Sequence, residues 1–434
     1  MPRLAADVAL TTVDGTLIRP ADFRAEVFAA AAALRGETGL VNLCEDRRKF
    51  LVTFAAALLR GRTVLLPPSR APASIAELRA RYPGCVVVDD SFVAVAGPSP
   101  DAREFADDFI ATIGHTSGST GTPVAHAKRF RSLATTTALN ESVIRTELAR
   151  QEQPGRPWLV ATVPSQHMYG LETSVLLPLL CGFGLHCARP LMPADVASAL
   201  AAIPAPRVLV STPLHLRAIA DSGVGFPDVA IVLSATAPLS RDLAARIEGR
   251  FGATLIEFFG STETCVIATR RTAQDDGWRP YAGVGIVARD DGTTVRAPWL
   301  AQDQCLHDIV DVRGDGTFTV VGRGTDIIEV AGKRASLADL TRRMQSLDGV
   351  EDAVVFQPPV AEGGIAGRCA ALVVAPGRTP RELARAMREM VDAAFVPRPI
   401  VIVPGLPRNE VGKLPRERLL EVLATSASRS RRGR

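Results

Sequence analysis

The residues Gly114–Pro123 read GHTSGSTGTP and are the stretch of this chain best suited to chemistry. Glycine and hydroxyl residues have little side-chain bulk, so many backbone N–H groups and hydroxyls can surround an anion such as phosphate. The loop lacks the Gly-Lys-Ser/Thr ending of a Walker A sequence. Its composition alone is equally compatible with a flexible surface loop.

Several apolar runs, including the one before this loop, end in small polar residues. The five runs and their endings are Phe109–Ile113 into GHTSGST, Trp158–Val163 into PSQHMYG, Arg207–Val210 into STP, Val229–Leu233 into SATAP, and Thr254–Phe259 into GSTET. In an open α/β sheet, ligands bind beyond the carboxyl ends of the strands. We therefore expect one large site across one sheet edge, although each ending alone is also what an ordinary turn contains.

The elements that would position these residues alternate between helix and strand. The first third predicts the helices Phe23–Leu34, Phe50–Leu59 and Ile75–Arg81 and the strands Gly39–Asn42, Thr63–Leu66 and Cys85–Asp89. This alternation predicts an α/β fold with parallel strands. Shorter strands follow Trp278, with a hairpin at Asp315-Gly316. A smaller domain begins near Arg323; it includes a helix at Pro380–Phe395 and closes with a helix to Leu423.

Composition limits the class of protein. A chain of 434 residues predicts two or three domains. The net charge is +4, and part of the basic excess lies in residues 426–434, which predict a solvated, disordered tail and no nucleic-acid partner. Seven scattered cysteines predict neither a disulfide framework nor a zinc site and favour the cytoplasm. No signal peptide is expected. No membrane span is expected either, because no apolar run reaches about 18 residues.

Six motifs resemble those of the adenylate-forming superfamily, which contains acyl- and aryl-CoA synthetases, the adenylation domains of peptide synthetases, and luciferases. They occur in the family's order and cover nearly the whole chain. The motifs are TSGSTGTP at Thr116–Pro123, VPSQHMYGL at Val163–Leu171, SATAPLS at Ser234–Ser240, FFGSTE at Phe258–Glu263, HDIVDVRGDG with VGRGTD within His307–Asp326, and PRNEVGKLPR at Pro407–Arg416.

The resemblance implies an α/β fold with a large N-terminal domain of parallel-rich sheets flanked by helices, plus a small mobile α+β C-terminal domain. We expect an adenylation core at residues 1–322, a lid domain carrying the catalytic lysine at residues 323–425, and the tail at residues 426–434. In this family, a carboxylic acid reacts with ATP to give an acyl adenylate, and a thiol then accepts the acyl group. The implied cofactors are ATP and Mg²⁺.

The resemblance also implies which residues bind the nucleotide. Glu263 would hold Mg²⁺, Asp308 would accept both ribose hydroxyls with Arg323 nearby, and Phe259 would pack on adenine. The implied ATP and AMP set is Thr116, Ser117, Gly118, Ser119, Thr120, Gly121, Thr236, Phe258, Phe259, Gly260, Ser261, Asp308 and Arg323.

Lys413 is the implied catalytic cation, since it would bridge the substrate carboxylate and the α-phosphate oxygens as charge develops. Thr262 would bond the α-phosphate or the carboxylate, and His167 would lie between the acyl pocket and the thiol tunnel. Taken singly, Glu263, Asp308 and Lys413 are also compatible with solvated surface or turn residues, and His167 with a structural histidine.

The implied acyl pocket predicts a small aromatic acid. Aryl-acid relatives place a tyrosine and a small hydroxyl toward a ring hydroxyl, at positions that match Tyr169 and Thr173. A hydroxylated acid such as 4-hydroxybenzoate is therefore expected. The full implied set is His167, Tyr169, Gly170, Thr173, Ala235 and Gly260.

The sequence departs from the family's pattern at two positions. Val124 follows the loop proline where the family usually has lysine, which leaves His126, Lys128 or hydroxyls alone to neutralise the terminal phosphates. Thr325 occupies the hinge position, where many relatives have Asp or Lys. With its short N-terminal third, the chain resembles a compact subgroup of aryl polyene and xanthomonadin-type pigment biosynthesis that primes an aryl acid onto acyl carrier protein.

Three alternatives remain open on the sequence. The acceptor thiol is expected to be the phosphopantetheine arm of an acyl carrier protein, with free coenzyme A as the alternative. A non-catalytic nucleotide-binding relative is suggested by the missing lysine, but the joint presence of Glu263, Asp308 and Lys413 argues against it. A dinucleotide oxidoreductase is disfavoured, because Gly283-Val284-Gly285 lacks a third glycine.

Overall fold

The structure is a computed structural model that describes residues 7–34, 38–67, 70–94, 105–117, 123–289, 292–323, 327–330, 333–358, 369–409 and 412–432. The chain divides into two compact units. The first contains Met1–Gly283 and Pro298–Ala301, and the second contains Val284–Ala297 and Gln302–Arg434. The boundary predicted at Arg323 is the residue at which a pivoting lid would begin. A division into compact units does not test where such a lid pivots, so this boundary stays a prediction.

Strands and helices alternate through most of the first unit. The strands are β1 (Ala9–Thr11), β2 (Leu17–Ile18), β3 (Gly39–Asn42), β4 (Thr63–Leu66), β5 (Val86–Val88), β6 (Ile110–Ser117), β7 (Pro123–Arg129), β8 (Trp158–Ala161), β9 (Gly184–His186), β10 (Arg207–Ser211), β11 (Ile231–Ser234), β12 (Thr254–Ser261), β13 (Cys265–Arg270) and β14 (Arg279–Pro280). The helices are α1 (Pro20–Ala33), α2 (Arg47–Leu59), α3 (Pro72–Arg81), α4 (Phe130–Arg150), α5 (Met168–Gly170), α6 (Leu177–Cys181), α7 (Pro193–Ala201), α8 (Pro213–Asp221) and α9 (Arg241–Phe251), with a π-helical segment, Leu171–Leu176, between α5 and α6.

A nine-stranded sheet forms the centre of the first unit, in the order β14-β13-β12-β11-β10-β8-β9-β1-β2. The strands from β12 to β1 run parallel, whereas β13, β14 and β2 pair antiparallel at the two edges. The parallel strands are short apolar runs that are buried throughout, as expected for a sheet covered on both faces. Val160, Leu209 and Val232 pack in one core with residues of α7, α8 and α9. The prediction of a parallel-rich α/β fold is confirmed.

A second sheet has five strands in the order β5-β3-β4-β6-β7. The strands β5, β3, β4 and β6 are parallel, and β7 pairs antiparallel with β6. The expectation of one site across one sheet edge is therefore wrong for the run Phe109–Ile113, because β6 lies in this sheet and β8, β10, β11 and β12 lie in the central sheet. Short apolar strands look alike in sequence whichever sheet they join, so the sequence could not separate the two sheets.

The second unit consists of short sheets and helices. Its strands are β15 (Gly285–Arg289), β16 (Gly292–Arg296), β17 (Gln304–Leu306), β18 (Asp308–Val312), β19 (Phe318–Arg323), β20 (Ile327–Val330), β21 (Lys333–Ser336), β22 (Asp352–Phe356), β23 (Ala370–Val374) and β24 (Ile400–Ile402). Its helices are α10 (Leu337–Gln345), α11 (Pro380–Met390) and α12 (Arg416–Arg432), with a 3₁₀ turn at Ala393–Phe395. Leu340 of α10 and Leu383 of α11 share a core with Val355 and Val373 of the β22-β23-β24 sheet. This arrangement agrees with the predicted small α+β part.

The predicted hairpin at Asp315-Gly316 connects β18 to β19. Gly316 has φ +82°, a value that favours glycine. The Arg313 N–H donates to the Thr317 carbonyl oxygen at 2.8 Å, and the Asp315 carboxylate accepts from the Thr317 N–H at 3.0 Å. The turn chemistry read from the sequence therefore matches the turn observed.

Two helix ends differ from prediction. The helix α11 ends at Met390 and not at Phe395, because Asp392 caps a separate 3₁₀ turn by accepting from the Ala394 N–H. The helix α12 continues to Arg432, beyond Leu423 and into the segment predicted to be a disordered tail. Its sequence contains no glycine or proline that would end it earlier. No helix in the described part of the chain combines the length and apolar character that a membrane span needs.

Candidate active site

Polar side chains lie in one row across four adjacent parallel strands of the central sheet. Ser234 pairs in register with Ser211 on one side and with Glu257 on the other. Thr162 directly follows β8, and its Oγ1 is 3.1 Å from the Oγ of Ser211. The structure thus brings together the endings of β8, β10 and β11, as the sequence predicted for these three, and places beside them Glu257 of β12, a strand that continues to Ser261.

Tyr169 is buried beside this row. Its ring contacts Phe258 edge-on, with the ring centroids 6.5 Å apart. Burial and then the negative charge of Glu257 raise the pKa of its hydroxyl well above the usual range, while the nearby main chain of Ser211 lowers it. The hydroxyl nonetheless has no hydrogen-bond partner of normal geometry among the described residues. A buried phenol without a partner costs free energy, so this position fits a ligand that supplies a polar group.

The other predicted acyl-pocket residues lie along the same elements. The Thr173 hydroxyl donates a hydrogen bond to the carbonyl oxygen of Tyr169 at 2.6 Å, so the hydroxyl oxygen can still accept a hydrogen bond. Ala235 is buried directly after β11, and His167 is exposed where α5 begins. Sequence reasoning missed Ser234, whose buried hydroxyl also lacks a partner among the described residues. Its position as the first residue of the SATAPLS motif was the available signal.

Gly170 packs directly on the main chain that leaves β8. A Cβ built on Gly170 would lie 1.9 Å from the carbonyl oxygen of Pro164, which is far inside van der Waals contact. The helical segment that carries Tyr169 can therefore approach the strand end only because this residue is glycine.

Replacing Gly170 by alanine is expected to lower the free energy of unfolding by about 1–3 kcal/mol, because backbone must shift to admit the methyl group. Thermal unfolding measures the change. Gly249→Ala is the matched control, since Gly249 lies in α9 with nothing within 4 Å of its Cβ position. That exposed helical substitution should stabilise the protein by about 0.5–1 kcal/mol. An unchanged unfolding temperature for Gly170→Ala would contradict the packing argument.

Glu263 lies in the tight turn between β12 and β13. The Oγ of Ser261 accepts hydrogen bonds from the N–H groups of Glu263 and Thr264, both at 3.2 Å. Cys265 has φ +63°, and a Cβ built on Gly260 would lie 2.1 Å from the Cys265 carbonyl oxygen. Strained backbone of this kind persists where the surroundings hold it, and it clusters at functional sites.

The surroundings of Glu263 keep its carboxyl ionised. Burial raises its pKa, but the Ser261 hydroxyl, its own N–H and the charges of His126 and Lys128 together lower the pKa below its ordinary value. The Nε2 of His126 is 3.5 Å from Oε1 of Glu263. The described residues contain no group of three or more His, Cys, Asp or Glu side chains that could hold a metal ion. One ionised carboxylate fits Mg²⁺, which takes its other ligands from phosphate oxygens and water.

The predicted phosphate loop joins β6 to β7, two antiparallel strands that pair Ser117 with Pro123. A Cβ built on Gly114 of β6 would lie 3.6 Å from the Cγ2 of Thr262. The strand before the loop therefore lies against the turn that carries Glu263. Outside the described residues lie Gly118, Ser119, Thr120, Gly121 and Thr325, as do the side chains of Thr116, Ser117 and Arg323.

The predicted adenine-binding residues lie near the same strand ends. Phe259 is half-buried, and its ring centroid is 5.1 Å from that of Trp278. Phe258 is buried and contacts Tyr169, as expected because neighbouring strand residues face opposite sides. Thr236 has φ +82°, which is uncommon for a β-branched residue. The SATAPLS turn therefore contains another strained backbone position of this unit.

In the second unit, the two predicted ribose-binding positions are adjacent. Asp308 of β18 and Arg323 of β19 are cross-strand partners in register. Thr293 donates its hydroxyl to the carbonyl oxygen of Asp308, which ties β16 to the start of β18.

Lys413 is exposed and is presented by a braced loop of the second unit. Its N–H donates to Oδ1 of Asn409 at 2.9 Å, and the Asn409 N–H donates to the Lys413 carbonyl oxygen at 2.8 Å. Arg408, which sequence reasoning missed, donates to both carboxylate oxygens of Asp352 and to the carbonyl oxygen of Gly412. Its place within the motif Pro407–Arg416 was the available signal.

The chain is similar to several known proteins. A family model described as AMP-binding enzyme matches residues 66–298. A 4-coumarate–CoA ligase of Halorhodospira halophila is 27% identical over 347 residues, which span 75% of this chain and 81% of the relative. The p-hydroxybenzoic acid–AMP ligase FadD22 of Mycobacterium marinum is 28% identical over 382 residues, which span 78% of this chain and 53% of the relative. The structure of o-succinylbenzoate CoA synthetase from Bacillus subtilis with its acyl-adenylate intermediate aligns with a TM-score of 0.77, at 17% identity, over 95% of this chain and 94% of that one.

Proposed function

The chain belongs to the AMP-binding enzyme family, and from that premise we propose that it activates a small aromatic carboxylic acid with ATP and transfers the acyl group to a thiol. In the first step, a carboxylate oxygen attacks the α-phosphorus of ATP, and pyrophosphate leaves. In the second step, a thiolate attacks the acyl carbon, and AMP leaves. Neither step needs covalent chemistry from the protein, so positioning and charge neutralisation are its tasks.

The turn around Glu263 supports the nucleotide half of the proposal. Its ionised carboxylate would hold Mg²⁺, which when bound neutralises charge on the phosphate oxygens. Thr262 of the same turn would bond the α-phosphate or the substrate carboxylate, and Lys413 would neutralise the charge that develops between them. His126 lies next to the Glu263 carboxylate. We propose that it contacts the terminal phosphates, a role that the family's usual lysine would have at the position of Val124.

The choice of acid rests on the buried hydroxyl of Tyr169, which has no hydrogen-bond partner of normal geometry within the described part of the chain. A site built to hydrogen-bond a substrate hydroxyl leaves such a group unpaired when empty, and it rejects analogues that lack the hydroxyl. The free acceptor capacity of Thr173 and the unpartnered Ser234 hydroxyl add polar groups nearby. We therefore propose an acid with a polar ring substituent, such as 4-hydroxybenzoate. The names of the two sequence relatives specify aromatic acids with a para hydroxyl.

The proposed acceptor is the phosphopantetheine thiol of an acyl carrier protein, with coenzyme A as the alternative. The name of one relative specifies CoA, whereas the name of the other specifies only an AMP ligase. Mass spectrometry with carrier protein and CoA offered together, in the presence of 4-hydroxybenzoate and ATP, decides between them. The proposal predicts that the carrier protein gains the acyl mass first.

Pyrophosphate release over a panel of benzoic, cinnamic and fatty acids tests the proposed activity. We expect turnover to be fastest with hydroxylated benzoic acids. Absence of turnover with every acid, for a protein that unfolds cooperatively, would favour the non-catalytic nucleotide-binding alternative.

Replacing Tyr169 by phenylalanine tests the acyl pocket with two opposite effects. The unliganded protein should become more stable by about 1 kcal/mol, because an unsatisfied buried hydroxyl is removed. The ratio of kcat/KM for 4-hydroxybenzoate over benzoate should fall about tenfold, since one hydrogen bond to the ring hydroxyl is lost. Thermal unfolding and pyrophosphate release measure the two effects. An unchanged ratio would remove Tyr169 from substrate recognition.

A further inference from the structure

Lys128 is an unusual cation for this chain. Lysine and arginine together number 50, yet only four are lysine, namely Lys49, Lys128, Lys333 and Lys413. Arginine is thus the ordinary surface cation here, whereas Lys128 is 6% exposed on β7. Its ammonium group donates a hydrogen bond to the main-chain oxygen of Glu263. A buried ammonium group is costly unless charges or acceptors compensate it, so its position calls for an explanation.

Glu172 is the buried acid on the other side of the same turn. It is 1% exposed in the π-helical segment, and its Oε1 accepts from the Val266 N–H at 3.3 Å. Burial raises its pKa to about 7, against the lowering effects of the Val266 N–H, the charge of Lys128, and the Thr136 and Asn140 side chains. An acid within an otherwise apolar helical run was visible in the sequence, but its partners were not.

These two side chains act on the two ends of one turn. Lys128 donates to the main-chain oxygen of Glu263, and Glu172 accepts from the main-chain N–H of Val266. Between these ends lies Cys265, whose φ of +63° is strained for a residue with a side chain. The two bonds therefore hold both ends of a segment that contains a strained residue.

We propose that Lys128 and Glu172 form a buried clamp of opposite charges that fixes the turn from Thr262 to Cys265 and thereby aims Glu263. The clamp also ties β7, next to the phosphate loop, to the π-helical segment next to Tyr169. Both are positioning residues, and their assignment to this reaction rests on the proposed function.

The coupling between the two charges is tested by the unfolding temperatures of Lys128→Met, Glu172→Gln and the double variant. Each single change removes one member of the proposed pair and with it the interaction between the two charges, so the double variant should be destabilised by clearly less than the sum of the two single effects. Lys49→Met and Glu77→Gln are the matched controls on exposed faces of other helices. Strictly additive losses would overturn the pairing.

Hydrogen exchange tests the clamp on the turn itself. Lys128→Met should speed exchange of the amides from Thr262 to Val266, with little change in the cores of the central strands, whereas Lys49→Met should change neither. Lys128→Gln keeps a donor for the Glu263 carbonyl oxygen without the charge, and it should protect the turn better than Met does. If Lys128→Met does not fold, the comparison of Lys128→Gln with the parent protein decides. Unchanged exchange in both variants would overturn the proposal.

The functional readout is the Mg²⁺ concentration that gives half-maximal pyrophosphate release. Residues that orient a metal ligand typically change metal affinity by about 10–100-fold when replaced, so Lys128→Met should raise this concentration by about tenfold or more. The KM for the acid should change less than about twofold. A loss of activity without any change in Mg²⁺ dependence would show that Lys128 has only a structural role. If the parent protein turns over no acid, the proposed function fails, while the exchange and unfolding experiments still test the clamp.

Discussion

Replacing Lys413 by alanine is expected to lower the rate of acyl-adenylate formation by about 100- to 1,000-fold, the cost of removing one group that stabilises charge in the transition state. The side chain is exposed, so its loss should leave the unfolding temperature nearly unchanged. A pyrophosphate-release assay with saturating acid, together with thermal unfolding, measures both quantities. The expected signature is therefore a large loss in rate without a loss in stability.

The loop around Lys413 gives this prediction its sharpest control. Arg408 stabilises the loop by donating hydrogen bonds to the Asp352 carboxylate and to the Gly412 carbonyl oxygen. Its positive charge is therefore paired with Asp352 in the same unit. Arg408→Ala should therefore lower both rate and stability, in contrast to Lys413→Ala. Lys49→Ala removes a lysine from α2 and should change neither. A Lys413→Ala variant with the parent's rate would remove this residue from catalysis.

Replacing Glu263 by glutamine is expected to produce the second large effect. Glutamine keeps the size of the side chain but removes the charge that its surroundings maintain, so Mg²⁺ should be needed at a concentration at least about tenfold higher. Because the pKa of Glu263 lies below its ordinary value, the parent carboxylate stays ionised throughout the neutral range. The Mg²⁺ requirement of the parent should therefore be nearly flat across neutral pH and should rise only in acid.

Titrations of pyrophosphate release against Mg²⁺, at fixed ATP and acid, measure this requirement. Glu77→Gln makes the same chemical change on the exposed surface of α3 and should leave the requirement unchanged. Equal Mg²⁺ requirements for Glu263→Gln and the parent protein would show that another group holds the metal.

Much of the architecture around the site could be predicted from the sequence. Apolar runs that end in serine and threonine located the three strand ends of β8, β10 and β11, which lie side by side in the structure because parallel strands align their carboxyl ends. The motif order pointed to Glu263 and Tyr169. The structure surrounds Glu263 with groups that keep it ionised, and it buries the Tyr169 hydroxyl without a hydrogen-bond partner of normal geometry among the described residues.

The features that the sequence did not predict were missed for physical reasons. The sequence did not reveal that β6 belongs to a separate sheet, since the pairing partners of a short strand depend on tertiary structure. The strand β7 was missed because its segment, PVAHAKR, contains a lysine that a sequence alone places in solvent. The structure buries that lysine, and its ammonium group donates to the main-chain oxygen of Glu263. Burial of charge depends on partners that are distant in sequence, so local patterns cannot predict it.

The residues Pro298–Ala301 belong to the first unit, although the chain before and after them belongs to the second unit. The chain leaves this unit after Gly283 and comes back for these few residues. The indole Nε1 of Trp299 donates to the carbonyl oxygen of Thr264 at 3.0 Å, and Ser132 donates to the carbonyl oxygen of Trp299. A chain truncated at Gly283 would thus leave the carbonyl oxygen next to Glu263 without its donor. During synthesis, the turn that carries Glu263 can reach its final hydrogen bonding only after the ribosome has passed residue 301.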